Sequence, residues 1–340
     1  MRNFFTNFGL LVATVVLFFG GIEAALRMTG LQTTKPNPPK IFQKSVDPKI
    51  SYELKPGIQE RAYRSTVTTN EQGFRITTHS SAHLSPHPFI VFLGDSITFG
   101  YGLEDDEAIP ARIQKALPQY TIINTAVPGY NLKQQTAVYR KKIASLMPEA
   151  LVLIFHPNDL EDIGTGWLDD QGIIRPEGWK PETETCTPIT TGILNFLPGK
   201  CWFDQHSAFY RAIEKFINLQ QRKKDLKTTQ EQSRGSLFDD DVTDAQLTTY
   251  ARDLDQLVAL LPPKLPRLFV IWPDRRVYFV SRPKLLKIAE NHGFKTLDLY
   301  QIFGNQAETL SWDTVHPSTK TASEGAEAIH AALEHYELVH

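Results

Sequence analysis

Five short apolar runs punctuate the chain: Phe89–Leu93, Tyr120–Asn124, Leu151–Phe155, Leu268–Ile271 and Thr296–Leu299. Strands that are apolar along their whole length suit a parallel sheet covered on both faces. Helical spacing falls near 108–117, 132–146, 247–261 and 283–291, with a last helix over about 323–337. This alternation predicts an α/β fold, a three-layer α/β/α domain around a central five-stranded parallel sheet, spanning residues 85–340. One stretch breaks the rhythm. Residues from about 163 to 246 hold a Gly-, Trp- and Pro-rich part, the helical stretch "RAIEKFINLQQRKKDLK" and a polar segment. An insertion this long at the carboxyl edge of a sheet is expected to act as a lid or substrate wall.

The amino terminus follows a different pattern. No charged residue occurs from Phe4 to Ile22, and a helix of that length spans roughly 28 Å, close to the apolar thickness of a bilayer. Arg2 gives a positive start, but no small-x-small cleavage site stands before Glu23-Ala24-Ala25, and Leu26 and Arg27 carry the helical pattern onward. We therefore expect residues 1–28 to be an uncleaved membrane anchor, with a cleaved signal peptide as the alternative. Either places the rest of the chain on the exterior, periplasmic side, and Arg2 argues for an amino end inside. Residues 29–84 are a linker and amino-terminal extension that begins with the stiff spacer "KPNPPK".

Composition narrows the classes of partner. The formal net charge is -2 with no long basic block, which argues against a nucleic-acid partner held by phosphate neutralisation. Cys186 and Cys201 are too few and too far apart for a zinc site. In an exported chain they are a candidate disulfide, closing a loop of about 15 residues for about 3 kcal/mol; two reduced buried thiols are the alternative. Asp239-Asp240-Asp241 reads as solvated surface rather than a metal site. No metal or organic cofactor is implied.

The chemistry concentrates where strands end. The first run stops at Gly94-Asp95-Ser96. Asp and Ser there suit a strand end and helix cap, or they display Ser96 as a nucleophile at the carboxyl end of a parallel strand. Three other segments favour the second reading. "NTAVPGYN" (124–131) follows the second strand with Gly129 in a turn, "FHPNDLED" (155–162) follows the third with Asn158, and "WDTVHPS" (312–318) holds Asp313 three residues before His316. Acyl transfer needs a hydroxyl, a base, a group that orients the base and donors for the oxyanion. Ser96, His316 and Asp313 fill the first three roles. The amides of Ser96 and Gly129 and the side chain of Asn158 fill the last, and Asp95 is expected to hold the Ser96 turn.

Together "GDSITFG", "NTAVPGYN", "HPNDL" and "DTVHPS" resemble the four sequence blocks of the SGNH hydrolase superfamily, the GDSL esterases and lipases. The resemblance covers roughly residues 85–162 and 247–335 and implies a flavodoxin-like sheet. It assigns the nucleophile to Ser96, the oxyanion hole to Ser96, Gly129 and Asn158, and the rest of a triad to His316 and Asp313. "NEQGFR" (70–75) is similar to a segment preceding the domain in membrane-anchored bacterial members. Two departures stand out. His156 occupies the place of a family glycine and is expected to be a neighbour of the oxyanion loop rather than a second proton carrier. Pro317-Ser318 replaces the Leu-Asn common after the family histidine. The expected activity is hydrolysis of a small-molecule, lipid or glycan ester near a membrane. An O-acyltransferase using the same residues and a non-catalytic scaffold of the same fold are the alternatives.

Overall fold

The apolar runs assemble into one sheet. In the computed structural model, which describes residues 2–32, 38–77, 88–160, 164–180, 196–233 and 242–339, two small antiparallel pairs come first. These are β1 (Phe42–Lys44) with β2 (Tyr52–Leu54), and β3 (Gln59–Ala62) with β4 (Ser65–Thr68). Then follow β5 (Phe89–Leu93), β6 (Thr121–Asn124) and β7 (Ala150–Phe155), a hairpin of β8 (Trp167–Leu168) and β9 (Ile174–Arg175), and finally β10 (Arg267–Ile271) and β11 (Lys295–Asp298). The central sheet has the order β11-β10-β7-β5-β6, and every neighbouring pair is parallel. It is the five-stranded parallel sheet that the apolar runs predict.

Alternate side chains on each strand enter opposite cores. Val91 and Leu93 of β5, with Leu151, Leu153 and Phe155 of β7, pack into one; Ile90, Phe92, Val152 and Ile154 pack into the other. Burial on both faces is the reason these strands are apolar throughout. The helices follow: α2 (Ser96–Phe99), α3 (Ile109–Ala116), α4 (Leu132–Val138), α7 (Asp244–Val258), α8 (Ser281–Asn291), α9 (Tyr300–Phe303) and α10 (Thr319–His335). α4, α7 and α8 cover the first core, and α3 and α10 the second.

The helix predicted over 132–146 changes type along its length, and the last helix begins earlier than predicted. After Val138 the helix continues as a π turn over Tyr139–Ile143 and a 3-10 turn over Ala144–Leu146. Pro148 disfavours the α region for Met147, whose φ of 49° ends it. α10 starts four residues before the predicted 323, because the Ser318 side chain accepts from the Thr321 amide and caps the helix there.

By contact the chain divides into two units, residues 39–178 with 226–340, and residues 1–38 with 179–225. The second unit pairs α1 (Arg2–Met28) with α5 (Lys200–His206) and the start of α6 (Ala208–Ser233). Asn3–Met28 of α1 is long and apolar enough for a membrane span or a signal sequence. Its carboxyl end is tied down. Glu23 accepts from the Ser207 hydroxyl (3.0 Å) and from the Ala208 and Phe209 amides (2.8 Å each), capping α6, while Arg27 donates to the His206 carbonyl (2.6 Å). The Phe19 and Phe209 rings lie 5.3 Å apart.

Candidate active site

β5 hands over to α2 through a turn that only glycine fits. A Cβ on Gly94 would sit 2.0 Å from Thr98 Oγ1 and 3.1 Å from the Ile154 carbonyl oxygen. Asp95 then caps α2, its Oδ1 accepting from the Ile97 amide at 2.9 Å. Ser96 is the first residue of the helix and half-buried. β5 lies between β6 and β7, so the chain goes to one side of β5 and then crosses to the other. A crevice opens at the carboxyl ends of strands where the direction of winding reverses. Ser96 follows β5, Gly129 follows β6 and Asn158 follows β7, so all three stand at that edge.

The loop before α10 brings His316 to the same place. The Ser96 hydroxyl lies 3.0 Å from His316 Nε2. On the other side of the ring, Nδ1 is 3.1 Å from Asp313 Oδ2, in a bent contact rather than a straight hydrogen bond. Asp313 Oδ1 accepts from the Val315 and His316 amides at 2.6 and 2.8 Å. Burial works against the Asp313 charge, but His316 and the two amides outweigh it and hold the carboxyl at about 2. An ionised carboxylate beside Nδ1 keeps the proton there and leaves Nε2 free to accept from Ser96. The loop itself is closed by Leu310 N to the His316 carbonyl (2.9 Å) and the Thr309 hydroxyl to the Asp313 carbonyl (2.9 Å).

The proposed oxyanion donors are available. Among the described residues, neither the Ser96 nor the Gly129 amide donates to another group. Gly129 has φ +83°, and a Cβ there would meet the Tyr52 hydroxyl at 2.8 Å. That hydroxyl donates to the Pro128 carbonyl (2.8 Å), and the Tyr130 hydroxyl donates to the Tyr52 carbonyl. Asn158 Nδ2 donates one hydrogen to Asp95 Oδ2 at 3.0 Å, which leaves its second hydrogen unspent. The Asn158 Oδ1 accepts from His156 Nδ1 at 2.8 Å. His156 therefore braces the amide. Below it, Asp159 accepts from the His156 amide (3.1 Å), and burial together with the Asp95 charge pushes its carboxyl well up.

Two supports carry no signal of their role in the sequence. Arg75, the last residue of "NEQGFR", is 1% exposed. It donates to the carbonyls of Phe99 (3.0 Å), Gly100 (2.7 Å), Leu103 (2.7 Å) and Thr66 (2.9 Å), and to Asp105 (2.9 Å). It thus fastens the carboxyl end of the helix that Ser96 begins. Tyr101 stacks on the His316 ring with centroids 3.9 Å apart and planes 16° apart. Burial, with Asp313 adding and Arg64 opposing, pushes the Tyr101 hydroxyl up to about 12, so it stays neutral. Among the other candidates, Cys201 is disulfide-bonded, while Cys186 and Asp239-Asp240-Asp241 lie outside the described residues. Among the described residues, no group of three or more His, Cys, Asp or Glu is arranged to hold a metal.

No family model matches the chain, and no curated protein matches it. The solved structures it resembles include proteins described as a lipase/acylhydrolase, as lipolytic proteins of the G-D-S-L family and as an SGNH-hydrolase family esterase. TesA is 14% identical, with 74% of this chain and 99% of TesA covered at a TM-score of 0.42. A lipase/acylhydrolase from Enterococcus faecalis is 12% identical over 73% of this chain and 96% of its own (TM-score 0.41). AlinE4, an SGNH-hydrolase family esterase, is 16% identical over 75% and 98% (TM-score 0.36).

Proposed function

We propose that this chain is a membrane-anchored serine esterase of the SGNH type, with its catalytic unit on the periplasmic side. The observation that carries the proposal is the line Ser96–His316–Asp313, joined at 3.0 and 3.1 Å across 220 residues of chain. Ser96 Oγ attacks the ester carbonyl as its proton passes to His316 Nε2, and Asp313 stabilises the imidazolium that forms. The new oxyanion is received by the Ser96 and Gly129 amides and the spare hydrogen of Asn158, each worth about 3 kcal/mol in a dry site. His316 then gives its proton to the departing alkoxide. Water, deprotonated by the same imidazole, releases the acyl group from Ser96.

The Glu23 clasp supports retention of α1 as an anchor. Cleavage after α1 would strip the cap from α6 and leave two amides without their acceptor. The test uses the full chain in detergent with a fluorophosphonate probe and p-nitrophenyl acetate, with and without glycan acceptors. Wild-type protein should be labelled and should release nitrophenol unaided, and Ser96→Ala should do neither. Release that requires an acceptor would make the enzyme a transferase, and absence of labelling would make it a scaffold.

A further inference from the structure

The β3–β4 hairpin is closed by the two residues Tyr63 and Arg64, since Ala62 pairs with Ser65. Both have positive φ, +53° and +69°. A two-residue hairpin of this hand favours Asn-Gly, and large side chains are strained there. Strain kept at a turn tip points to a use for the side chains it displays. Here the tip reaches the His316 loop. The Tyr63 ring stacks on Tyr101 at 4.0 Å, and Tyr101 in turn stacks on His316. Two rings stacked so closely cannot share one face, so Tyr101 is sandwiched between the hairpin tip and the imidazole. Next to it, the Arg64 guanidinium lies over the Trp312 ring at 4.9 Å, and Trp312 lies 5.8 Å from Tyr101.

Arg64 is exposed and has no ion-pair partner among the described residues. The acids near the hairpin are committed elsewhere. Glu104 accepts from the Thr66 amide (2.8 Å), and Asp105 from the Thr68 amide (3.1 Å) and Arg75. Asp313 is committed to His316 and two amides. The rim of the site therefore carries one oriented, unneutralised guanidinium beside an indole, a pairing suited to a carboxylate or phosphate attached to a ring.

We infer that Arg64 and Trp312 form a specificity subsite for an anionic ester, one bearing a carboxylate or phosphate on a ring next to the scissile bond. The inference rests on the serine-esterase reading and names the substrate class of the same site. Arg64 acts on the substrate's charge, while Tyr63 holds the tip in place through Tyr101.

The experiment compares 4-acetoxybenzoate, 4-acetoxyphenyl phosphate and neutral 4-acetoxybenzamide in the full-length protein. Arg64→Gln should lower the ratio of kcat/KM for an anionic ester to that for the neutral one at least tenfold, chiefly through KM. Arg64→Glu should lower it further, and Arg64→Lys should restore part of it. The wild-type preference should also shrink with added salt. The anionic ester that loses more identifies the group as carboxylate or phosphate. Hydrolysis of all three esters with an unchanged ratio in Arg64→Gln would overturn the subsite alone. A wild-type protein that hydrolyses none of them and resists the fluorophosphonate would overturn the esterase reading, and the subsite with it.

Discussion

Replacing Arg75 with methionine tests how the nucleophile turn is held. The methionine keeps most of the apolar stem over the Phe99 ring, where the guanidinium carbon now lies at 4.8 Å, but removes five donor contacts. Their loss is unequal. Gly100 O keeps the Leu103 amide (3.1 Å), Phe99 O keeps a long bond from Asn124 (3.4 Å), and Asp105 keeps the Thr68 amide. The Leu103 carbonyl loses its donor outright, and Asp105 loses its counter-charge. An orphaned buried polar group costs about 1–3 kcal/mol, and breaking a buried ion pair about 3–5 kcal/mol. These costs overlap, so we expect Arg75→Met to destabilise the fold by about 4 kcal/mol. For a domain of this size that lowers Tm by about 8–16 °C. Arg75→Lys retains the charge but offers at most three donors, and should lose about half as much. Differential scanning calorimetry with urea melts measures both. Kinetics well below Tm should also show kcat for Arg75→Met down by about tenfold, since two of the carbonyls that Arg75 holds, Phe99 and Gly100, close the short helix that Ser96 begins. A Met variant within about 1 kcal/mol of wild type, or a Lys variant no better than Met, would refute the reasoning.

The other outcomes concern the site itself. The Asp313 carboxyl titrates at about 2 in the fold and near 4 when unfolded, so it contributes about 2 kcal/mol that is fully present above about pH 4 and disappears as pH falls towards 2. Urea melts from pH 2 to 5 should show that slope in wild type and a flatter one in Asp313→Asn, with turnover cut at least a hundredfold at neutral pH. Asn158→Ala should lower kcat by about a hundredfold with KM little changed, as loss of one oxyanion donor requires. Gly129→Ala forces a side chain into φ +83° and against the Tyr52 hydroxyl; we expect a loss of about 1–3 kcal/mol in stability, read by thermal melts, and a lower kcat. Ser96→Ala should abolish labelling while moving Tm by less than about 2 °C, because the half-buried hydroxyl makes one hydrogen bond.

How much of this was legible depended on whether a residue's role left a local trace. The five strands were, because burial on both faces writes itself as uninterrupted apolar runs. Ser96, Gly129, Asn158, Asp313 and His316 could be singled out as candidates, because they fall in the loops and turns that follow the strands or lead into a helix. Arg75 was not. Although it ends the "NEQGFR" segment, nothing there marks the arginine as buried, and only the folded chain gathers four carbonyls around it. Tyr101 stands between two glycines and looks like part of a turn, although it lies flat on the imidazole. Arg64 was hidden for a further reason, since a Tyr-Arg hairpin tip is one that turn chemistry argues against. The pairing of α1 with α5 and α6 leaves no periodicity at all. It joins segments almost two hundred residues apart, and nothing in either one announces the other.

That separation has a consequence for synthesis. Glu23 emerges early, yet the Phe209 amide it receives comes 186 residues later, a delay of roughly 10–40 s at ordinary ribosome speeds. Throughout that interval the carboxylate at the foot of the first helix has only Arg27 of its own helix to accept from, and most of the parallel sheet is translated before the clasp can close. A ribosome that stalls between residues 179 and 209 would release a chain able to build β5 to β7 but not to secure its own leading helix.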